Sequence, residues 1–487
     1  MTADYIAFHA AARPDAIAVI TDGREISYAQ FAHDIRKLTR ALREFELPHG
    51  AKVVINVEDE YFRWLLLLAC ERLCVVTLAA PQLSIIQPPL QQYHVEGAKF
   101  LAHFDFALTE KKLPAESIRR QYETTPEWLQ GVLAREDKSE ESMPAQGPDD
   151  PLRILLTSGT TGIPKKLLYS RRVHEGSVTK MMWFANFTPQ SRYLGEGNVA
   201  APTACMRAGG TVVFKNSPRM TAEETIVSHS ITHIMLTPIV LKRLLDELPS
   251  GFAKRTGLKV FSSGAALSTA LRDQARARLA SEVYDIYGSY EAGYVSSIGD
   301  GGEIGSVWPG VQVQVVSDHD EPMPLGEMGR IRVKTDRMVQ GYLDDPEATG
   351  RMFKDGWFYA QDSGILHGGH RLQVIGRSDD MINISGSKIS PNMLEDLISK
   401  IDGISDVGVC SILNADGIEE ILIAVVAGAQ VGNQELAARI KRALALGAWP
   451  YGRVHTFRVS QVPRTTNGKI QRKVLQNTLA GLRSALS

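Results

Sequence analysis

The sequence predicts an α/β fold: a large N-terminal part of layered α/β subdomains, a β-rich subdomain after it, and a small α/β domain at the C-terminus. Three observations predict this. Helical and β-rich patterns alternate from the N-terminus to about residue 262. Beyond residue 305 short strands are separated by Gly- and Pro-containing turns, and after Gly376–Asp380 a fresh helix–strand alternation begins. The 487 residues, 44% hydrophobic and 22% charged, suffice for two or three domains with full cores.

In chain order, the spacing predicts helices over Tyr28–Phe45 and Glu58–Cys70, with β runs at Lys52–Asn56 and Cys74–Thr77. From Lys111 to Pro151 the chain is charged and poor in β-branched residues, and reads as surface helix and loop. Further β runs at Thr211–Phe214, His233–Thr237 and Leu258–Ser262 extend the alternation. The β-rich part comprises Val311–Val316, Arg330–Val333 and Trp357–Tyr359. The last section carries Leu394–Ile401, Val407–Leu413, Ile421–Val426 and Gln434–Leu446, enough chain for a separate small domain.

Composition excludes several classes. With 54 basic against 55 acidic residues, no global field draws the chain to nucleic acid or an anionic membrane, so an anionic ligand must be held locally. The longest apolar run, Trp64–Cys70, is far short of the roughly 20 residues of a membrane span and reads as a buried helix. MTADYIAFHAAARPDA lacks the layout of a secretory signal, which makes the cytoplasm the expected location. Four cysteines (Cys70, Cys74, Cys205, Cys410) form no CxxC pair, against a disulfide framework or a zinc site.

The chemistry begins at TSGTTGIPKK, Thr157 to Lys166, after the apolar run Arg153–Leu156. Thr157, Ser158, Gly159, Thr160, Thr161 and Gly162 let backbone N–H groups converge on an anion, while hydroxyls and Lys165 add donors and charge: a phosphate cradle. It is not a Walker A loop, because Gly162 is followed by Ile163 and Pro164 and no Lys-Ser or Lys-Thr follows a glycine. A flexible Gly/Thr turn is the competing reading of the stretch taken alone.

The string TSGTTGxPK resembles the signature loop of the adenylate-forming superfamily, which comprises acyl-CoA synthetases, peptide-synthetase adenylation domains and luciferases. The resemblance continues motif by motif to residue 472 and is closest to an AMP-dependent acyl- or aryl-CoA synthetase. Ser262–Leu267 resembles the adenine-side turn, with Gly264, Ala265 and Ala266 against the base. Asp285 to Gly293 (DIYGSYEAG) is similar to the YGxTE motif, so that Asp285, Tyr287, Gly288, Ser289 and Tyr290 are implied to face ATP, Tyr287 stacking on adenine and Glu291 holding Mg²⁺. GEMGRIRVKTDRMVQGYLDDPEAT follows the GELxV…GYxxxPEAT pattern. GWFYAQD retains Asp362 for the ribose hydroxyls, Arg377 in GRSDD is the second ribose contact, and PRTTNGKIQR places the catalytic lysine at Lys469.

The resemblance implies a two-half reaction with ATP, Mg²⁺ and CoA or a carrier protein's phosphopantetheine. A carboxylate attacks the α-phosphate, with Lys469, Glu291 and Thr160 catalytic; then a thiol or amine takes the acyl group. It also implies that residues 379–487 form a mobile lid on residues 1–378, hinged at Asp379, with Gly386 entering an acceptor tunnel. Three departures fall on the acyl side: Tyr290 where the motif has a hydroxyl residue, Ala360-Gln361 where it has Thr-Gly, and a shortened Ser191–Gly210 segment. Trp183, Phe184, Phe187, Tyr290 and Tyr294 are candidates for an aryl or short-acyl pocket, although aromatics at helical spacing also serve as core. A missing Phe-Asp motif in Met181–Arg192 disfavours an α-amino acid. Loading of a carrier protein or amine is the competing enzyme reading, and a non-catalytic nucleotide-binding regulator the competing class. Lys166, where the family has glycine, is an extra cation facing either phosphate or solvent.

Overall fold

Helix Glu60–Arg72 shows how the first layers form. Asp59 caps it by accepting the Phe62 N–H at 2.6 Å, and the run WLLLLAC that follows is buried on every side. In the computed structural model the described residues are 1–79, 101, 103–113, 118–136, 143–157, 165–195, 200–214, 221–299, 302–384, 387–414, 419–428, 430–446, 454–465 and 468–484. They form two units: Met1–Met235 with Arg337–Gly350, and Leu236–Asp336 with Arg351–Ser487.

The first unit holds a seven-stranded sheet in the order Tyr342–Leu343, Lys165–Ser170, Pro151–Thr157, Val76–Ala79, Lys52–Asn56, Phe106–Thr109, Arg120–Glu123. Its apolar strands pair in parallel, as expected where both faces are covered, and Pro151–Thr157 pairs antiparallel with Lys165–Ser170. Strands Arg24–Ser27, Ile17–Thr21, Thr211–Phe214 and Arg192–Gly195 follow one another in a second group, to which His233 and Ile234 add by parallel pairing.

In the second unit, Arg255–Ser263 pairs in parallel with Ala280–Ser289, and a meander of antiparallel strands continues through Gly293–Ile298, Gly305–Val307, Arg371–Arg377, Trp357–His367, Met328–Lys334 and Gln312–Val316. Residues beyond 380 gather a core of their own. Ile382, Ile389, Leu394, Ile398, Val409, Ile423 and Ile440 pack together around the antiparallel pair Ile404–Leu413 and Glu419–Ala427.

The α/β class is as expected, and several edges move. Cys74 belongs to neither helix nor strand: it takes a left-handed φ of 56° beyond the end of the helix, and the strand starts at Val76. The charged stretch after Lys111 contains an edge strand, Arg120–Glu123, as well as the helix Pro126–Leu133; an edge strand of polar residues that are exposed or half-buried shows no apolar alternation to read. Thr2–Ala12 is a helix that the sequence reading did not assign. All four cysteines are buried and free. Among the described residues no helix is long and apolar enough to cross a membrane.

Candidate active site

The second unit brings four sequence-predicted residues together. The first is Glu291, on the turn joining Ala280–Ser289 to Gly293–Ile298. Gly288 makes that hairpin possible: a Cβ there would lie 2.4 Å from the Gly293 carbonyl oxygen, so any larger residue would force the strands apart. Ser289 Oγ accepts the Ala292 N–H at 3.2 Å, closing the turn that presents Glu291, whose side chain is buried. Tyr290, next to it, is 44% exposed.

On the same strand Tyr287 donates its hydroxyl to Asp362 Oδ2 at 2.8 Å. Burial, reinforced by the Asp362 carboxylate, holds the Tyr287 phenol well above its usual value, so it stays a donor. Asp362 comes from strand Trp357–His367, opposite Arg377 on strand Arg371–Arg377. Burial raises the Asp362 carboxyl; Arg377, the Tyr287 hydroxyl and Lys469 pull it back. The Arg377 guanidinium lies 4.0 Å from Asp362 Oδ1 and 3.9 Å from Asp379 Oδ2, and donates to Gln361 Oε1 at 2.5 Å.

Lys469 reaches this group from a built turn. The Thr465 N–H donates to the Lys469 carbonyl at 2.8 Å and the Gly468 N–H to the Thr465 carbonyl at 2.8 Å, with Arg464 and Ile470 bridged across it. Gly468 has φ +82° and its missing Cβ would lie 2.5 Å from Ile239 Cγ2, so glycine is required on two counts. Desolvation and the Arg377 guanidinium push the Lys469 ammonium below the usual lysine value, while Asp362 and Glu291 pull it up. Lys469 thus senses all three of the other residues.

Two arginines quoted within the C-terminal motif, but given no role from it, brace this arrangement. Arg464 donates to the Gly468 carbonyl at 2.8 Å and pairs with Asp406 at 2.7 Å. Arg472 ties the helix Pro391–Ser399 to the segment beside Asp379, binding Asp380 at 3.0 Å, Asn392 at 2.6 Å and Glu395 at 2.6 Å. Their signal was the paired spacing of basic residues around the glycine turn.

Ser262 stands opposite Asp285 in the parallel pair Arg255–Ser263 and Ala280–Ser289, which sets the Gly264–Ala266 turn above that strand. Gly264 and Ala266 are exposed and Ala265 half-exposed, leaving their backbone open to a flat ligand. Asp285 accepts the Leu267 N–H, and burial pushes its carboxyl up to about 7 against the pull of that bond and of Arg272. Among the described residues no group of three or more His, Cys, Asp or Glu could hold a metal ion. A single buried carboxylate such as Glu291 fits Mg²⁺ that draws its other ligands from phosphate and water.

In the first unit, Thr157 and Lys165 face each other at the mouth of the antiparallel pair, and Lys165 Nζ stands 4.5 Å from the Tyr342 ring centroid. Ser158, Gly159, Thr160, Thr161 and Gly162 between them, and Gly386 in the C-terminal part, lie outside the described residues. Lys166 points to neither solvent nor the loop mouth. Strand alternation turns it inward, 8% exposed, with Nζ 5.8 Å from the Phe104 ring centroid, and desolvation lowers its pKa against the pull of Asp344.

The aromatic candidates for an acyl pocket divide. Phe187 is core, its ring 4.5 Å from that of His233 and 5.9 Å from that of Tyr193, and Tyr294 packs 5.2 Å from Trp308. Trp183 is 63% exposed.

A model of the family described as AMP-binding enzyme matches residues 6–343. An indoleacetate–CoA ligase of Aromatoleum aromaticum is 27% identical, with 98% of each chain covered. The fatty acid–[acyl-carrier-protein] ligase ScoC of Streptomyces coeruleorubidus is 26% identical over 97% of this chain and 95% of its own. ATP-bound MatB from Rhodopseudomonas palustris superposes with a TM-score of 0.82 at 23% identity, covering 98% of this chain and 99% of that one. The o-succinylbenzoate CoA synthetase of Bacillus subtilis with its acyl-adenylate intermediate gives 0.80 at 20% identity, covering 97% of each. At these identities the solved structures establish a shared fold.

Proposed function

The chain belongs to the AMP-binding enzyme family, and from that premise we propose that it activates a carboxylic acid with ATP and passes the acyl group to the thiol of CoA. The observation that carries the reading is the meeting of Lys469 with Glu291, Asp362 and Arg377, brought from separate strands and a C-terminal turn. In the first half, a carboxylate oxygen attacks the α-phosphorus in line, the bond to the bridging oxygen breaks, and pyrophosphate leaves. Both reactants are anions, so catalysis is positioning and charge neutralisation.

Lys469 would stand between the two anions; in their absence desolvation and the Arg377 guanidinium hold its ammonium below the usual lysine value. Asp362 would accept ribose hydroxyls through the oxygen not engaged by Tyr287, and Arg377 would meet the nucleotide beside it. Glu291 would hold the Mg²⁺ that accompanies ATP, which supplies charge neutralisation at the phosphates. Thr157, the Ser158–Gly162 loop with Thr160, and Lys165 would retain the departing phosphates. In the second half, rotation about Asp379 of the domain from residue 379 to 487 would withdraw Lys469 and bring the hairpin Ile382–Ile384 and Ser387–Ile389 to the acceptor's pantetheine arm, for which Gly386 is the expected contact.

We take the acid to be aryl or short acyl, a reading supported by the similarity to an aryl-acetate ligase. A carrier protein as acceptor is the second reading, favoured by the comparable similarity to ScoC. The test is acid-dependent ATP–pyrophosphate exchange across aryl, short, medium and long acids, followed by thioester formation with CoA or with a loaded carrier protein. Exchange with an aryl or short acid and a CoA thioester is expected. Absence of exchange with every acid would overturn the adenylation reading.

A further inference from the structure

Among the described residues three acceptors stand around Arg377, and one of them is within hydrogen-bond distance. The carboxylates of Asp362 and Asp379 stand at 4.0 and 3.9 Å, whereas Gln361 Oε1 takes the guanidinium Nη2–H directly. Asp379 is 67% exposed and lies in the short turn Ser378–Asp380, whose dihedral angles must change if the chain hinges there. Gln361 sits on strand Trp357–His367, one residue before the Asp362–Arg377 pair and outside the Ser378–Asp380 turn, to which the strand is tied by Ser363 Oγ and Ser378 Oγ at 2.9 Å. We propose that Gln361 is a positioning residue for nucleotide binding: its neutral amide anchors the Arg377 guanidinium on the nucleotide side whatever Asp379 does.

The chemistry of the anchor matters. An amide oxygen orients a guanidinium without cancelling its charge, so Arg377 still presents a full positive charge to an anionic ligand. A carboxylate at the same place would form an ion pair and neutralise it. A small residue would leave Arg377 free to follow Asp379 or to close on Asp362. This chain departs from the Thr-Gly of the resembling motif at Ala360-Gln361, and Gln361 turns that departure into a contact.

The inference rests on the adenylation reading, and direct nucleotide binding separates the two. ATP binding to the full chain is measured by titration calorimetry for the wild type, Gln361→Met, Gln361→Glu, Arg377→Ala and the Gln361→Met/Arg377→Ala double variant, each with its thermal melt. Gln361→Met keeps the side chain's size and loses the acceptor. It is expected to bind ATP about tenfold more weakly at an unchanged melting temperature, the scale of one hydrogen bond to a charged group. Gln361→Glu is expected to lose more, because the ion pair spends the charge. The double variant should bind no more weakly than Arg377→Ala alone. Wild-type affinity in Gln361→Met, or a loss that adds fully to that of Arg377→Ala, would overturn the role of Gln361 while leaving adenylation standing. A wild type that does not bind ATP would overturn both.

Discussion

The charged residues expected at a nucleotide and the aromatic residues expected at an acyl group sit in different kinds of surroundings. Tyr287 and Glu291, Asp362, Arg377 and Lys469 come from separate parts of the sequence and meet in space: Tyr287 bonds Asp362, and Lys469 senses Arg377, Asp362 and Glu291. The aromatic residues named for an acyl pocket each have surroundings of their own: Phe187 lies beside His233, Tyr294 leans on Trp308, and Trp183 stands exposed. A buried carboxylate or lysine costs free energy unless it is used or paired, so its recurrence within a glycine-built turn points to a site. An aromatic ring gains free energy simply by being buried, so its presence points nowhere in particular.

That contrast can be broken at its strongest point first. Gly468→Val places a branched side chain at φ +82° against Ile239 and must move the Lys469 turn. Adenylate formation should fall by about a hundredfold, the scale of an ångström's misplacement of a catalytic group, while the melting temperature changes little. A Gly468→Val enzyme with wild-type exchange would show that the turn does not position Lys469.

The acyl side is sharpened by a pair of variants. Phe187→Ala opens a cavity beside Tyr193 and His233, and is expected to cost about 3 kcal/mol of stability in denaturant melts with acid preference unchanged. Trp183→Ala should stay within about 0.5 kcal/mol of wild type, since its ring is already largely in water. A reversed order would return Phe187 to the list of pocket residues.

Asp285 offers an effect of pH with a clear sign. Burial raises its carboxyl from 3.8 to about 7, so the folded chain keeps a proton that the unfolded chain has lost across that interval. Its contribution to stability is therefore fully present below the unfolded value and is lost as pH rises through about 7. Melting temperatures of the wild type should decline between pH 5 and 8 more steeply than those of Asp285→Asn. Parallel curves would mean that Asp285 is ionised in the native state.

How much was legible follows the same division. The strands Lys52–Asn56 and Thr211–Phe214 were readable to the residue, because buried parallel strands are continuous β-branched runs. Arg120–Glu123 was not, being an edge strand that packs Tyr122 on Phe45 with ring centroids 4.0 Å apart and shows little apolar content of its own. Glu291, Asp362, Arg377 and Lys469 were expected from the resemblance of their motifs, whereas Gly288 and Gly468 have steric reasons that no motif states. Lys166 was read as an open choice between phosphate and solvent. Its burial against Phe104 depends on which face of strand Lys165–Ser170 meets the sheet's interior, which is a tertiary fact. Gln361 stood out only as a departure, since its partner Arg377 lies on the next strand.

The central claim is that Lys469 serves adenylate formation and is withdrawn for acyl transfer. Its most direct test is Lys469→Ala, assayed in both halves: acid-dependent ATP–pyrophosphate exchange, and thioester formation from supplied acyl-adenylate and CoA. The account predicts exchange reduced by at least about a thousandfold, as for loss of a preorganised charge at the reacting phosphate, with thioester formation near the wild-type rate. Equal loss of both halves, or retained exchange, would contradict it.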